Sequence, residues 1–278
     1  NHRKRPFAVS VAEFACTVIE AAPILPHRAR VSKGRNHMIV KLTWAGSFVL
    51  FALLAAQSDS TALHNELRVG VDTLDALNRL GSLERKAGTF TRSVRRQGNS
   101  YIIASSFTGA GGITGYDSLE VDAVTLAPRW QRLHSPRDSG AVNYTANRVQ
   151  GWVHLHGQPR VRIDRQLPPR TLPDNLVDHV IAAAPWTVGR SLEVHHYDMT
   201  VDTIRVATYR AQSQGSLSHR GRQVAVVIVQ KDGGPTDTMR GERMIRQRWI
   251  DTAARRTLKV QDRPQNTGDG DGYVVIAR

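Results

Sequence analysis

With 278 residues, 40% of them hydrophobic and 22% charged, the chain can bury a core, which excludes wholesale disorder. Its formal net charge is +14; residues 1–58 contribute +6, from eight lysines and arginines against two glutamates, and leave +8 to residues 59–278. A basic surface attracts polyanions, but the remaining cations are scattered and no stretch interleaves them with aromatic residues. We therefore expect no nucleic-acid partner.

Residues 38–58 have the pattern of a cleavable secretory signal. A short basic start, Met38–Lys41, precedes an uncharged stretch from Leu42 to Ala56, and the small residues Ala56 and Ser58 suit cleavage by a signal peptidase. The uncharged stretch is shorter than the ~20 residues that span a bilayer as a helix, so we expect no permanent transmembrane anchor. The signal predicts a periplasmic or secreted protein.

Residues 1–37 precede this signal, and we interpret them as a non-native extension from an over-extended reading frame, with a disordered basic arm as the alternative. The single cysteine, Cys16, lies in this segment. Residues 59–278 can therefore form neither a disulfide nor a thiolate metal site. We expect them to form one β-rich domain whose stability comes from its core.

The first element predicted in this domain is a weak helix at Thr73–Leu80, because leucines recur there every third residue and Gly81 follows. From about residue 86 the pattern has period two, which is typical of antiparallel strands separated by turns. Strands are predicted at Thr89–Arg95, Tyr101–Ser105, Ser118–Val124, Arg129–His134, Val142–Tyr144, Val149–Leu155, Arg160–Arg165, Leu192–Tyr197, Thr203–Tyr209, Val224–Val229, Arg246–Ile250, Thr257–Val260 and Tyr273–Ala277.

A second helix is predicted at Pro173–Ala184. Leu176, Val177, Val180, Ile181 and Ala184 form one apolar stripe, and Pro185 ends the segment. Thr171 and Asp174 have the spacing of a capping box, and Pro173 suits the first turn. The predicted fold is mainly β: a large twisted antiparallel sheet or open barrel with one or two packed helices.

Several blocks of sequence resemble a known group of proteins. They are Ser118–Pro128, Asn143-Tyr144, Val149–Gly151, Asp174–Pro185 and Trp249–Val260. In this order they resemble an uncharacterised family of secreted bacterial β-sheet proteins, over roughly residues 86–278. Such proteins are loosely similar to periplasmic lipoprotein carriers, in which a curved sheet holds an acyl chain. The resemblance implies a binding role and supplies no catalytic residues.

Four tryptophans are the predicted ligand contacts, because aromatic residues are scarce, at 6%. Trp130, Trp152, Trp186 and Trp249 could line an apolar cavity between the sheet and the helix, although tryptophan on a strand is usually core packing. The expected ligand is a lipid or another amphipathic molecule. Outward arginines such as Arg160 and Arg162 would favour an anionic cell-envelope component as partner.

A histidine cluster is the predicted metal site. His154 and His156 lie two residues apart on a strand, about 6.5–7 Å from each other, so both could reach one ion. His195 or His196 would supply a further ligand, with Asp198 as another choice. The alternative is that the first two histidines face solvent.

The function predicted from these patterns is non-enzymatic binding of an apolar or amphipathic ligand, or of a cell-envelope partner. No G-x-S-x-G motif indicates a nucleophilic hydrolase, and no cofactor is expected. Two alternatives remain: a metal-dependent enzyme that uses the histidine cluster, and a purely structural envelope module.

Overall fold

The alternating polar and apolar residues form strands along almost the whole of the described chain. The computed structural model describes residues 66–80, 83–109, 112, 114–232, 238–239, 242–264 and 272–278. The predictions for residues 1–37 and 38–58 lie outside these residues. Within the described residues no helix is long and apolar enough to cross a membrane.

Sixteen strands and one helix make up the described part of the chain. They are β1 (Gly70–Leu80), β2 (Leu83–Gln97), β3 (Ser100–Gly109), β4 (Thr114–Asp122), β5 (Pro128–His134), β6 (Ser139–Thr145), β7 (Arg148–His154), β8 (Val161–Gln166), β9 (Leu172–Pro173), α1 (Asp174–Ala183), β10 (Ser191–Asp198), β11 (Thr203–His219), β12 (Arg222–Asp232), β13 (Thr238–Met239), β14 (Glu242–Asp251), β15 (Arg256–Pro264) and β16 (Gly272–Ala277).

The strands form one large sheet in the order β8-β7-β6-β5-β4-β3-β2-β1-β16-β15-β14-β12-β11-β10-β9, with β13 pairing beside this path with β14. Two meanders meet where β1 pairs with β16. Among the described strands, every pairing is antiparallel except that of β9 with β10. The predicted class, a large mainly antiparallel sheet with a packed helix, is confirmed.

The predicted helix at Thr73–Leu80 is wrong, because these residues belong to β1. Leu74 and Ala76, two residues apart, are the buried pair on this strand. β1 also pairs on both of its edges, with β2 and with β16. Ladder pairing on two sides outweighs the weak helical signal of leucines spaced by three.

The predicted helix at Pro173–Ala184 is confirmed with bounds Asp174–Ala183. Leu176 and Ile181, from its apolar stripe, are fully buried. No side chain caps its first turn. Thr171, the predicted cap, instead donates a hydrogen bond from Oγ1 to the carbonyl of Pro168 (2.8 Å).

The helix packs on the inner face of the sheet and completes its main core. In that core the buried stripe of α1 packs against inward side chains from both meanders. Examples are Ile103 and Leu119 from one meander, and Val229 and Ile250 from the other. One short helix therefore contacts both meanders, and this position creates the site described below.

A second core brings β8, one end strand of the sheet, against the β10–β11 turn. Ile163 on β8 packs in one cluster with Tyr197 and Met199. Arg165, also on β8, donates hydrogen bonds to both carboxylate oxygens of Asp202 in that turn (2.8 and 3.0 Å). The sheet thus curls until its two ends are joined through side chains.

Candidate functional site

A cavity of about 120 Å³ lies between α1 and the inner face of the sheet. Strands from both meanders supply its wall, together with the first turns of the helix. An apolar cavity of about 150 Å³ is large enough to bind benzene in another protein, so this volume suits a small organic group.

One part of the cavity wall is apolar. It includes Phe90 and Phe107, directly opposite each other on β2 and β3, with ring centroids 4.5 Å apart. Leu133 on β5 and Val177 on α1 also line this space. The three strand residues face inward because successive side chains of a strand point to opposite faces of the sheet. Val177 faces inward because it belongs to the apolar stripe of the helix.

Next to this apolar wall lies a buried ionic cluster formed by Arg92, Asp178 and Arg248. Asp178 Oδ1 accepts hydrogen bonds from Arg248 Nε (3.0 Å) and Nη2 (2.5 Å), and its Oδ2 accepts one from Arg92 Nη2 (3.0 Å). Burial alone would raise the pKa of Asp178, but the two guanidinium groups hold it well below the usual range. The cluster carries two positive charges and one negative charge.

Arg248 is the most deeply buried member of this cluster, with its side chain 3% exposed. Its guanidinium carbon lies 5.1 Å from the centre of the Tyr209 ring. Among the described residues, its Nη1 has no hydrogen-bond partner. Arg246, two residues earlier on β14, also lines the cavity and donates two hydrogen bonds of 2.6 Å to Asp262.

Two further carboxyl groups in the cavity wall, those of Asp117 and Asp174, have raised pKa values. Asp117 accepts hydrogen bonds from Asn175 Nδ2 (2.7 Å) and Gln131 Nε2 (3.2 Å), and burial raises its pKa to about 7. Burial and the nearby Asp198 raise the pKa of Asp174 to about 7 as well. Both groups are therefore partly protonated near neutral pH.

His196 faces the same cavity, with Nε2 3.4 Å from Asp174 Oδ1. Burial is the main cause that lowers the pKa of His196, to about 4. This imidazole is neutral at physiological pH. The contact with Asp174 is therefore one between a neutral ring and a carboxyl group, without a full ion pair.

The predicted tryptophan contacts lie elsewhere. Trp152 and Trp249 sit on the outer face of the sheet, beneath Arg160 (3.7 Å to the ring centre) and a lysine (4.1 Å) respectively. Trp130 is also outward, with Nε1 donating to a glutamate. Trp186 is in the main core and donates a hydrogen bond to the carbonyl of Ile181 (2.6 Å). Within the described residues, the cavity wall includes none of the four.

The structure does not bring the predicted metal ligands together. His154 and His156 are exposed at the end of β7 and just beyond it. His195 and His196 are consecutive on β10, so their rings point to opposite faces of the sheet. In the part of the chain that the structure describes, no group of three or more His, Cys, Asp or Glu side chains is placed to hold a metal ion.

The ionic cluster was not predicted from the sequence, although two signals for it are present. Asp174 and Asp178 lie four residues apart, at the border of the apolar stripe of the predicted helix. Arg246 and Arg248 share strand parity with Ile250, which predicts that all three face inward. Both signals looked like ordinary solvent-exposed charge.

Comparisons with known proteins place the chain in a family and leave its activity open. No curated protein matches the chain. A solved structure, described as a beta-barrel-like protein of domain of unknown function DUF1849 from Brucella abortus, is similar with a TM-score of 0.45 and 9% identity, over 76% of this chain and 96% of that one. A family model described as protein of unknown function (DUF3108) matches residues 78–272. The chain therefore belongs to the DUF3108 family.

Proposed function

We propose that this domain binds a small amphipathic molecule in the cavity between α1 and the sheet, as a non-enzymatic binding protein. The observation that supports the proposal is the composition of the cavity wall: the aromatic pair Phe90 and Phe107 lies beside the ionic cluster around Asp178. Ligand pockets commonly combine a mainly apolar lining with a few placed polar groups. The resemblance to lipoprotein carriers, noted from the sequence, points in the same direction.

The size of the cavity limits the ligand. A volume of about 120 Å³ holds a short acyl chain or one aromatic ring, and the opening leaves room for a longer molecule to extend outward. Burial of a six-carbon chain gains about 0.8 kcal/mol for each methylene group, so we expect dissociation constants on the order of 1 mM for such probes.

The test is an amide NMR titration of the purified chain with hexanoate and with 1-hexanol. Saturable shifts in α1, β2 and β14 with either probe support the proposal. Leu133→Trp places a large ring in the cavity wall and should abolish these shifts. Val161→Trp, an exposed position on β8, is the matched control and should leave them intact. If neither probe binds, the proposal fails and a purely structural module remains.

We also propose that the domain acts outside the cytoplasm, on the strength of the signal pattern in residues 38–58. Expression of the full chain in an exporting bacterial host tests this. N-terminal sequencing of the periplasmic protein should find a mature end between Gln57 and Asp59. An uncleaved chain retained in the cytoplasm would contradict export.

Binding of an anionic cell-envelope component is the second candidate function, and the exposed arginine Arg162 supports it. Its side chain on β8 is 84% exposed, and Arg160 lies just before the same strand, stacked on Trp152. Co-sedimentation with vesicles that contain phosphatidylglycerol should decrease when both arginines are replaced by serine. Equal sedimentation of both proteins would remove this candidate.

A further inference from the structure

The guanidinium group of Arg248, in the cavity wall, is not fully hydrogen-bonded. Arg248 uses Nε and Nη2 on Asp178, while Nη1 has no hydrogen-bond partner among the described residues. A buried donor without an acceptor costs about 1–3 kcal/mol, and more when it is charged, so native proteins rarely leave one. Because Arg248 lines the cavity, a bound molecule is well placed to supply the acceptor.

The charge balance around Arg248 favours an acceptor that is negatively charged. Arg92 and Arg248 share the single carboxylate of Asp178, which leaves one positive charge unmatched within the cluster. Arg246 is matched by Asp262. The wall also holds Lys231 and Asp138, one side chain of each sign, and the carboxyl groups of Asp117 and Asp174, whose pKa values burial raises to about 7. The unmatched positive charge therefore belongs to the cluster itself, where Arg92 and Arg248 both line the cavity.

The apolar and cationic parts of the wall meet on one face of β2. Phe90 and Arg92 both line the cavity and lie two residues apart on β2, hence about 6.5–7 Å from each other on the same face. Arg92 connects through Asp178 to Arg248. A molecule of a few carbon atoms could therefore contact the Phe90–Phe107 pair and the cluster at the same time.

We propose that the ligand carries a compact anionic group, a carboxylate or a phosphate monoester, that accepts a hydrogen bond from Arg248 Nη1 while its apolar part packs against Phe90 and Phe107. This inference rests on the proposed binding function and specifies the ligand class. An arginine is suited to this role because its planar guanidinium can serve Asp178 with one edge and a bound anion with another.

The test compares four probes on the purified chain by the same NMR titration at pH 7: hexanoate, hexyl phosphate, 1-hexanol and acetate. Hexanoate and 1-hexanol have the same number of carbon atoms and differ in the charged group. A charge-assisted hydrogen bond in a desolvated site predicts that at least one of the two anionic probes binds at least about tenfold more tightly than 1-hexanol. Comparison of hexanoate with hexyl phosphate distinguishes the two head groups.

Acetate tests whether the anionic group alone explains the binding. It should bind at least about tenfold more weakly than hexanoate, because it lacks the chain that packs on the phenylalanines. If acetate binds as tightly as hexanoate, the site is a plain anion site and the inference of a two-part ligand is overturned.

The variant Arg248→Gln removes the charge and keeps an amide that can donate to Asp178. It should reduce the preference for the anionic probes over 1-hexanol to within about twofold. Arg148→Gln, on the outer face, is the control and should leave the preference unchanged. If Arg248→Gln does not fold, the ratio between the probes on the unmodified chain still decides the inference.

The two proposals fail in different ways. Binding of 1-hexanol as tight as that of both anionic probes overturns the anionic ligand and leaves the binding function in place. Absence of binding by all four probes overturns the binding function itself.

Discussion

Replacing Asp178 by asparagine should destabilise the fold by about 3 kcal/mol. The change leaves Arg248, 3% exposed, and Arg92 without the carboxylate that neutralises them. Removal of one partner of a buried ion pair costs about 3–5 kcal/mol, because the remaining charge stays desolvated. The side chain of Asp178 is 25% exposed, so water can partly replace it and the lower end of this range applies.

Urea unfolding followed by circular dichroism measures this loss. With a denaturant slope of about 3 kcal/mol per molar, the midpoint should fall by about 1 M. The matched control is Asp164→Asn, which breaks the pair between Arg148, 53% exposed, and Asp164 on the outer face. Exposed pairs contribute about 0–1 kcal/mol, so this midpoint should hardly move. Equal losses in the two variants would refute the reasoning.

The pH dependence gives a second check on the same substitution. The neighbouring guanidinium groups depress the pKa of Asp178 in the folded state below its ordinary value of 3.8. The stability that this carboxylate contributes is therefore present above pH 4 and is lost as the pH falls below about 4. The difference between the unmodified chain and Asp178→Asn should narrow in that acidic range. A difference that stays constant down to pH 2 would contradict the assigned ion pairs.

Three further predictions concern single substitutions in the same fold. Burial raises the pKa of Asp117 to about 7, so ionisation of this carboxyl group weakens the fold as the pH rises from about 4 to 7. Between pH 4.5 and 8 the free energy of unfolding of Asp117→Asn should therefore rise by about 3 kcal/mol relative to that of the unmodified chain, at about 1.36 kcal/mol per pH unit up to the folded-state pKa. Thermal unfolding measures this difference. A pH-independent difference would contradict this. Gly151→Ala should lower the free energy of unfolding by about 1–3 kcal/mol, because the added methyl group meets the backbone of β6. The added methyl group of Gly215→Ala meets nothing within 4 Å, so this control should hardly change the free energy that urea unfolding measures. Trp186→Phe removes the hydrogen bond to the carbonyl of Ile181 and should lower the free energy of unfolding by about 1–3 kcal/mol. Trp152→Phe, on the outer face, should lower it much less. Neither variant should change the affinity for hexanoate, and a changed affinity would show that a tryptophan contributes to the site.

The fold class could be predicted from the sequence because period two is a local property. Each strand shows its own alternation, and turns such as Gly98-Asn99 and Ala146-Asn147 lie between strands that pair as neighbours. The helix at Asp174–Ala183 was predictable for the same reason, since its stripe is contained in ten residues. β1 was not, because its identity depends on β16, about 200 residues further along the chain.

The candidate site could not be predicted, because its contacts are not local. Arg92 and Asp178 are 86 residues apart in sequence, and Asp178 and Arg248 are 70 apart. Their meeting depends on the order of strands in the sheet and on the inner face that α1 covers. The residue types gave no guide to the cavity wall either. The tryptophans pack under cations on the outer face or in the core, while phenylalanines and charged side chains line the cavity.

The buried ionic cluster is the feature of this fold that most needs a reason. Well-packed apolar residues in place of a buried ion pair are often as stabilising, so stability alone gives little cause to keep Arg92, Asp178 and Arg248 beneath the helix. The cluster borders a cavity, retains one unmatched positive charge and keeps one guanidinium nitrogen unpaired. A bound anion would supply the acceptor that this nitrogen lacks, which gives the cluster a role in binding beside its role in stability. The free Nη1 of Arg248 is thus the atom at which the structural and the binding roles of the cluster separate.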